Sequence, residues 1–182
     1  MADRSNHYEA AFEEYLRSRQ VPYVAVDESR RSLMSDGSIK SLDFIVSPPS
    51  QGTWLVDVKG RRFPSGDDHK QYWKNWSTLD DLRSLAKWEK MFGPTFQGLF
   101  VFAYNVLGER APLPAEQLFA FRGLVYAFLG VGLKDYAYHA RPISSAWETV
   151  AMPTKEFRRL AQPLEQMLRD PAEMAVPIAA TA

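Results

Sequence analysis

The chain has 182 residues, 46% of them hydrophobic and 24% charged, which is the balance of a folded globular domain. Lys plus Arg and Asp plus Glu both number 22, so the formal net charge is zero. This total disfavours tight non-specific binding to nucleic acid but allows a local basic face. The absence of cysteine excludes disulfides, thiol nucleophiles and cysteine-ligated zinc, and it fits a cytoplasmic location. No apolar run approaches the roughly 20 residues that cross a bilayer, so we expect no membrane partner.

The first half of the sequence predicts the order helix, strand, strand, strand, helix, strand. Asn6 is a suitable N-cap with Glu9 as its capping-box partner, and Pro22 ends that helix. An Arg- and Ser-rich stretch, 28–39, predicts a loop, and a second loop is expected over 60–77. The predicted elements are a helix over 6–19, strands over 23–26, 42–46 and 53–59, a helix over 78–91 and a strand over 99–104.

The second half of the sequence predicts less regular structure. Strands or edge elements are expected over 117–121 and 124–128, and a further strand over 135–140. A helix is expected over 154–169, where Pro163 would kink it or begin a second piece.

Two carboxylates and a lysine lie on the second and third predicted strands. Asp57 and Lys59 share one face, because side chains alternate along a strand. Centring the connecting turn on Ser50 places Asp43 directly opposite Asp57, with roughly 4.5–5.5 Å between their Cβ atoms. A register slipped by two residues is the alternative.

Facing carboxylates repel each other, and partial burial increases the penalty. A bound divalent cation is the simplest reason for the arrangement, since Mg²⁺ takes one or two carboxylates together with water and phosphate oxygens. Asp43 and Asp57 are therefore predicted metal ligands. Lys59 is predicted to hold a nucleophilic water or to stabilise developing charge on a phosphate. For each residue taken alone, a structural ion pair or a polar strand end is the alternative.

These residues resemble the motif of the PD-(D/E)XK nuclease superfamily, which includes Holliday junction resolvases and many restriction enzymes. The motif consists of an acidic residue, one hairpin, and then Asp or Glu, any residue and Lys. In this sequence Asp43 lies in SLDFIV, and Asp57 and Lys59 lie in WLVDVKG. Leu42 stands where the family has a proline. The predicted order of helices and strands also resembles the family core.

The resemblance implies an α/β (α+β) fold of the restriction-endonuclease-like type, with a mixed sheet flanked by helices and a C-terminal extension. We expect one nuclease-like domain over 1–170, with its core over about 6–104 and the extension over 105–170. A flexible tail is expected over 171–182.

The resemblance also implies metal-dependent hydrolysis of phosphodiester bonds in nucleic acid, with DNA as the expected substrate. Asp43 and Asp57 would bind Mg²⁺ or Mn²⁺, and Lys59 would orient the attacking water. The family places a Glu on its first helix; Glu9 matches it best, acting on the metal through water, and Glu13 is the substitute one turn later. Because many members are dimers, a homodimer is among the expected states.

Four cations near Lys59 are candidates for contacts with nucleic acid: Arg61, Arg62, Lys70 and Lys74. They alternate with aromatic residues, and such a mixture neutralises phosphates and stacks on bases. A solvated loop with its aromatic side chains in the core is an equally good interpretation.

Two other functions remain open at this point. The chain could be a catalytically inactive nuclease-fold module that serves binding, which the zero net charge favours. It could also be an unrelated α/β binding protein with structural ion pairs. A nuclease requires its acidic residues to converge in a cleft, whereas an unrelated fold would not place Asp43 beside Asp57.

Overall fold

A computed structural model describes residues 6–26, 32–34, 37–49 and 52–169. The elements of its first part are α1 (His7–Ser18), β1 (Tyr23–Ala25), β2 (Ser32–Met34), β3 (Gly37–Ile39), β4 (Phe44–Val46), β5 (Thr53–Phe63), β6 (Ser77–Thr78), α2 (Leu79–Phe92) and β7 (Phe96–Val106). The later elements are β8 (Phe119–Phe121), β9 (Leu124–Gly132), α3 (Leu133–His139), β10 (Arg141–Ser144), β11 (Thr149–Ala151), α4 (Thr154–Leu160), β12 (Gln162–Pro163) and α5 (Leu164–Leu168). No helix in these described ranges is long and apolar enough to cross a membrane.

The central sheet is mixed, with its strands in the order β1, β4, β5, β7, β9 and β12, and with β8 pairing with β9. Strands β5 and β7 run parallel, from Thr53 opposite Phe96 to Phe63 opposite Val106. The other pairings in this sheet are antiparallel. Strands β10, β11 and β6 form a smaller sheet, and β2 and β3 form a hairpin.

Apolar side chains fill both faces of the central sheet, because β5 and β7 alternate between two buried clusters. The cluster on the first face joins α1 and α5 to the sheet, and its members include Phe12, Leu16, Val56, Val58, Leu99, Val101, Phe128 and Leu164. The cluster on the second face joins α2, α3 and α4 to the sheet, and its members include Leu55, Phe63, Leu85, Phe100, Phe102, Tyr136 and Phe157. Strands covered on both faces explain the apolar runs of the sequence.

The predicted mixed sheet flanked by helices is confirmed, and so is the element order through β7, apart from short additional strands. Both long helices begin directly after their predicted caps, Asn6 and Thr78. Strand β5 extends four residues past Lys59, so part of the predicted 60–77 loop is strand. The predicted strand over 124–128 is confirmed and continues to Gly132.

Two sequence predictions were wrong, and a third was right in one of its two forms. Within the predicted 28–39 loop, β2 and β3 pair as a hairpin of three-residue strands, which are too short to show alternation. The predicted strand over 135–140 is helix α3, in which Tyr136 is buried in the second cluster and Tyr138 is exposed. Over 154–169, the second of the two predicted outcomes is confirmed, because Pro163 begins a second piece, α5, after α4 and the short strand β12.

The predicted tail over 171–182 lies outside the described residues. The domain bounds stay a prediction.

Candidate active site

Asp43 directly precedes the first residue of β4, Phe44, and lies beside the middle of the longer strand β5. The pairing of Phe44 with Val56 continues the register that the sequence predicted, which brings Asp43 beside Asp57. The Asp43 backbone N–H donates to the Val56 carbonyl at 2.9 Å. Its carboxylate Oδ2 accepts a hydrogen bond of 2.6 Å from the Val58 N–H, which lies beyond the last ladder pair. Asp43 is 6% exposed, so this hydrogen bond holds a buried carboxylate against the backbone of β5.

Helix α1 brings Glu9 to the same place. The cap residue Asn6 accepts a hydrogen bond from the Tyr8 N–H, and its side-chain amide donates to Glu9 Oε1. Glu9 is 4% exposed. The substitute candidate, Glu13, instead binds Arg17 Nη2 at 2.8 Å and accepts from the Tyr23 hydroxyl at 2.9 Å. Of the two glutamates, Glu9 is the one that lines a pocket together with Asp43 and Asp57.

A glycine allows α1 to lie close to β5. A Cβ atom on Gly60 would come within 2.1 Å of the Tyr8 ring, so only glycine fits against the present position of that ring. Tyr8 precedes Glu9, and Gly60 follows Lys59. The close approach therefore sets the distance between the helix and strand that carry the candidate catalytic residues.

Lys59 is held between two carboxylates. Its Nζ lies 2.8 Å from Asp57 Oδ1, on its own strand, and 2.9 Å from Asp81 Oδ2, on α2. Asp81 also closes the capping box of that helix with Thr78, and its other oxygen lies 2.7 Å from Lys40 Nζ. The lysine side chain is 14% exposed, so it is largely removed from water along with its partners.

Lys59, Asp57 and Asp81 shift one another's pKa values. Burial lowers the pKa of Lys59, but Asp57 and Asp81 outweigh it and raise the pKa above its ordinary value. Burial raises the pKa of Asp57 above its ordinary value, and Lys59 only partly offsets this effect. Burial alone would raise the pKa of Asp81. Lys59, Lys40 and the Thr78 N–H outweigh this effect and hold the pKa of that carboxyl well below its usual range. Lys59 is therefore a cation that can position an anion or a water molecule, rather than a general base.

These side chains line one open pocket of about 390 Å³, whose walls are formed by Asn6, Glu9, Lys40, Ser41, Asp43, Asp57, Val58, Lys59 and Asp81. Three of the carboxylates, Glu9 on α1, Asp43 just before β4 and Asp57 on β5, line this pocket. Carboxylate oxygens are the donors that Mg²⁺ and Mn²⁺ take. The donor chemistry therefore fits a divalent cation. Among the described residues, however, no three acidic or histidine side chains already form a metal-binding group.

The four cations predicted to contact nucleic acid do not line this pocket. Arg61 folds back, with its Cζ 3.9 Å from the centroid of the Trp76 ring, and it donates to the backbone carbonyls of Gly60 and Trp76. Arg62 and Lys70 are exposed, and Lys74 is half-buried.

The aromatic residues of the same loop divide between the core and the surface. Tyr72 and Trp73 pack edge-on against Phe63, so for these two the core interpretation was right. Trp76 remains 38% exposed.

Sequence reasoning missed Asp81 and Lys40. Asp81 stands 24 positions after Asp57 in the sequence, and only the packing of α2 against β5 brings its carboxylate to Lys59. The available signal was the capping-box spacing from Thr78 to Asp81, which predicts a helix start but not a site. Lys40 precedes β4 without any motif and is recognisable only from its contact with Asp81.

No family model matches this chain, and no curated protein matches it. Among solved structures, it is similar to Hjc, a Holliday junction resolvase from the archaeal hyperthermophile Archaeoglobus fulgidus. The TM-score is 0.51 and the sequence identity 9%, and the match covers 90% of this chain and 98% of the resolvase chain. At this identity the likeness shows the fold alone. The chain has the mixed sheet and flanking helices of the resolvase, a restriction-endonuclease-like fold.

Proposed function

We propose that this chain is a nuclease that hydrolyses phosphodiester bonds of nucleic acid, in the first place DNA, with the help of Mg²⁺ or Mn²⁺. One observation carries the proposal: Glu9, Asp43, Asp57 and Lys59 reach a single pocket from three separate elements. Their convergence in a chain with the fold of a Holliday junction resolvase supports the nucleic-acid substrate.

Each residue has a distinct role in this proposal. Asp43 and Asp57 would hold the cation, and Glu9 would hold it through water. A bound divalent cation places positive charge on the scissile phosphate and lowers the pKa of the attacking water. Asp43 is already oriented by the Val58 N–H, and Asp57 has an oxygen besides the Oδ1 that contacts Lys59.

Lys59 would act as a fixed cation. Its ammonium group stays protonated between Asp57 and Asp81, so it donates hydrogen bonds to the attacking water or to a phosphate oxygen. Asp81 would keep the ammonium in place while a substrate competes for it.

One observation favours a second candidate, a nuclease-fold module that binds without catalysis. Lys59 already supplies the positive charge beside Asp57, and no metal-binding group is formed among the described residues. In such a module the three polar residues Asp57, Lys59 and Asp81 would serve stability alone.

Calorimetric titration of Mg²⁺ and Mn²⁺ into the wild type and Asp57→Asn, followed by a cleavage assay, separates the two candidates. The assay should offer single-stranded, double-stranded and branched DNA. We expect the wild type to bind metal and to cleave DNA only when metal is present, and Asp57→Asn to lose both properties. Asp67→Asn, which alters an exposed aspartate outside the pocket, should retain both.

A wild type that binds neither ion would contradict the nuclease proposal and leave the binding module. Circular dichroism of each variant distinguishes loss of the site from loss of the fold.

A further inference from the structure

A second pocket, of about 420 Å³, lies at the carboxyl end of β5. Phe63 forms part of it, six residues beyond Asp57, or roughly 20 Å along the strand. It shares no lining residue with the candidate active site. Its walls are formed by Phe63, Trp73, Arg110, Ala111, Pro112, Leu113, Leu129, Arg158, Ala161 and Pro163.

Two arginines of this pocket make cation–π contacts with aromatic rings. Arg110 Cζ lies 4.4 Å from the centroid of the Tyr72 ring, and Arg158 Cζ lies 5.2 Å from that of Trp73. A cation–π contact restrains the guanidinium group and leaves its N–H groups available to a ligand. Tyr72 and Trp73 are themselves packed against Phe63, so the rings that support the two arginines are anchored in the core.

The pocket carries positive charge without a compensating carboxylate. None of the described residues that line it is acidic, and neither Arg110 nor Arg158 forms an ion pair within the described ranges. The acidic residue of the same helix, Glu156, is taken by Arg159 at 2.7 Å. Two forked donors in one concave site match a phosphate group, which each can bind through two hydrogen bonds.

The other residues that line the pocket are apolar. The pocket is larger than a bare phosphate ion requires. Leu113, Leu129 and two prolines line the pocket together with the two arginines, and its volume is in the range of small-molecule sites. We propose that this pocket binds a phosphate monoester with an organic body about the size of a nucleoside. The phosphate would contact Arg110 and Arg158, and the body would contact the apolar wall. The proposal does not depend on metal binding or cleavage at Asp57.

Calorimetric titration of AMP, adenosine and inorganic phosphate into the full chain, without divalent metal, tests it. We expect AMP to bind, adenosine and inorganic phosphate each to bind at least about tenfold more weakly, and the Trp73 indole resonance to shift on addition of AMP. Equal binding of AMP and adenosine would overturn the proposal, and so would no binding of AMP at millimolar concentration.

Substitutions of Arg110 and Arg158 test whether these two arginines bind AMP. Arg110→Ala and Arg158→Ala should each weaken AMP binding by about tenfold, and Arg158→Lys, which keeps the charge but loses the fork, by less. Arg159→Ala is the matched control on the same helix and should bind AMP as the wild type does, since that side chain pairs with Glu156. Unchanged affinity in both Arg110→Ala and Arg158→Ala would contradict the assignment.

Two sources share this chemistry, a free mononucleotide and the 5′-phosphorylated end of a nucleic acid. Titration of a short oligonucleotide with and without its 5′-phosphate distinguishes them. Tighter binding of the phosphorylated oligonucleotide than of AMP, lost in Arg158→Ala, identifies a nucleic-acid end. Equal or weaker binding identifies the free mononucleotide. Carrying out this titration with Asp57→Asn separates the result from any metal-dependent cleavage at the other pocket.

Discussion

Asp81 is the residue that distinguishes this site from a simple pair of strand carboxylates. It receives Lys59 at 2.9 Å and Lys40 at 2.7 Å, and it caps α2 through Thr78. One carboxylate thus joins the start of a helix to a lysine in the middle of the sheet. In the proposed mechanism it positions Lys59 without touching substrate.

We expect Asp81→Asn to lower kcat while leaving metal binding little changed. Asparagine keeps an oxygen for the Thr78 N–H but removes the charge that holds Lys59, and a loosely held catalytic group costs on the order of tenfold to hundredfold in rate. The free energy of unfolding should fall by about 1–3 kcal/mol, because Lys59 retains only Asp57. Urea unfolding, calorimetry and cleavage rates provide the measurements.

Asp80→Asn is the matched control, since Asp80 lies in the same helical turn with a side chain that is 44% exposed. It should change kcat and stability little. Loss of metal binding in Asp81→Asn would show that Asp81 is part of the metal site, and a rate equal to that of the wild type would show that its role is structural.

That Asp43, Asp57, Lys59 and Glu9 come together in one pocket could be predicted from the sequence, whereas the presence of Asp81 beside them could not. The first three lie on β5 or directly before β4, so the register of these two antiparallel strands, which are consecutive in the central sheet, places them together. Glu9 was preferred to Glu13 by resemblance, and in the structure Glu9, unlike Glu13, lines the pocket. Asp81 reaches the site only through the packing of α2, which no local spacing encodes.

At the scale of elements, the docking of α1 on β5 depends on the close contact between Tyr8 and Gly60. We expect Gly60→Ala to lower the free energy of unfolding by about 1–3 kcal/mol, because the new Cβ would lie within 2.1 Å of the Tyr8 ring. The displaced ring would move Glu9 away from Asp57, so cleavage activity should fall as well. Urea unfolding and cleavage rates measure the two effects.

Gly108→Ala provides the comparison, since a Cβ at that glycine meets nothing within 4 Å. Its stability should stay within about 0.5 kcal/mol of the wild type. In the Tyr8→Ala background, Gly60→Ala should be milder than in the wild type, and the double-mutant cycle measures this coupling. Additive effects would show that Gly60 is required for some reason other than its contact with Tyr8.

The elements that sequence reasoning missed are those in which tertiary contacts override local pattern. In the stretch Asp135 to Ala140, Tyr136 and Tyr138 stand two positions apart, which would place them on one face of a strand. In the fold, Tyr136 is buried, and its hydroxyl donates to the Asn75 carbonyl at 2.5 Å. A seven-residue helix is too short for its apolar periodicity to be recognised. The sheet strands were easier, because long apolar runs are typical of strands buried on both faces.

At the scale of the whole molecule, one tyrosine of α1 contacts both the late strands of the central sheet and α5. Tyr15 of α1 is 3% exposed and contacts Phe119 of β8 and Phe128 of β9, with ring centroids 5.4 and 5.0 Å apart. It also lines a pocket with Glu165 and Leu168 of α5. Its phenol is therefore buried only when α1, the late strands of the sheet and α5 are assembled together.

Burial raises the pKa of Tyr15 from 10.0 to about 12. The unfolded chain loses this proton first, so the contribution of Tyr15 to stability is complete below about pH 10 and is lost as the pH rises through about 12. Between about pH 9 and about pH 11.5 we expect a loss of about 2 kcal/mol from this residue. Urea unfolding at several alkaline pH values should show a smaller loss in Tyr15→Phe than in the wild type. Tyr138→Phe, which alters a tyrosine that is 77% exposed, should leave the pH dependence unchanged. If the free energy of unfolding falls equally in Tyr15→Phe and in the wild type as the pH rises, the late strands and α5 do not bury this phenol in solution.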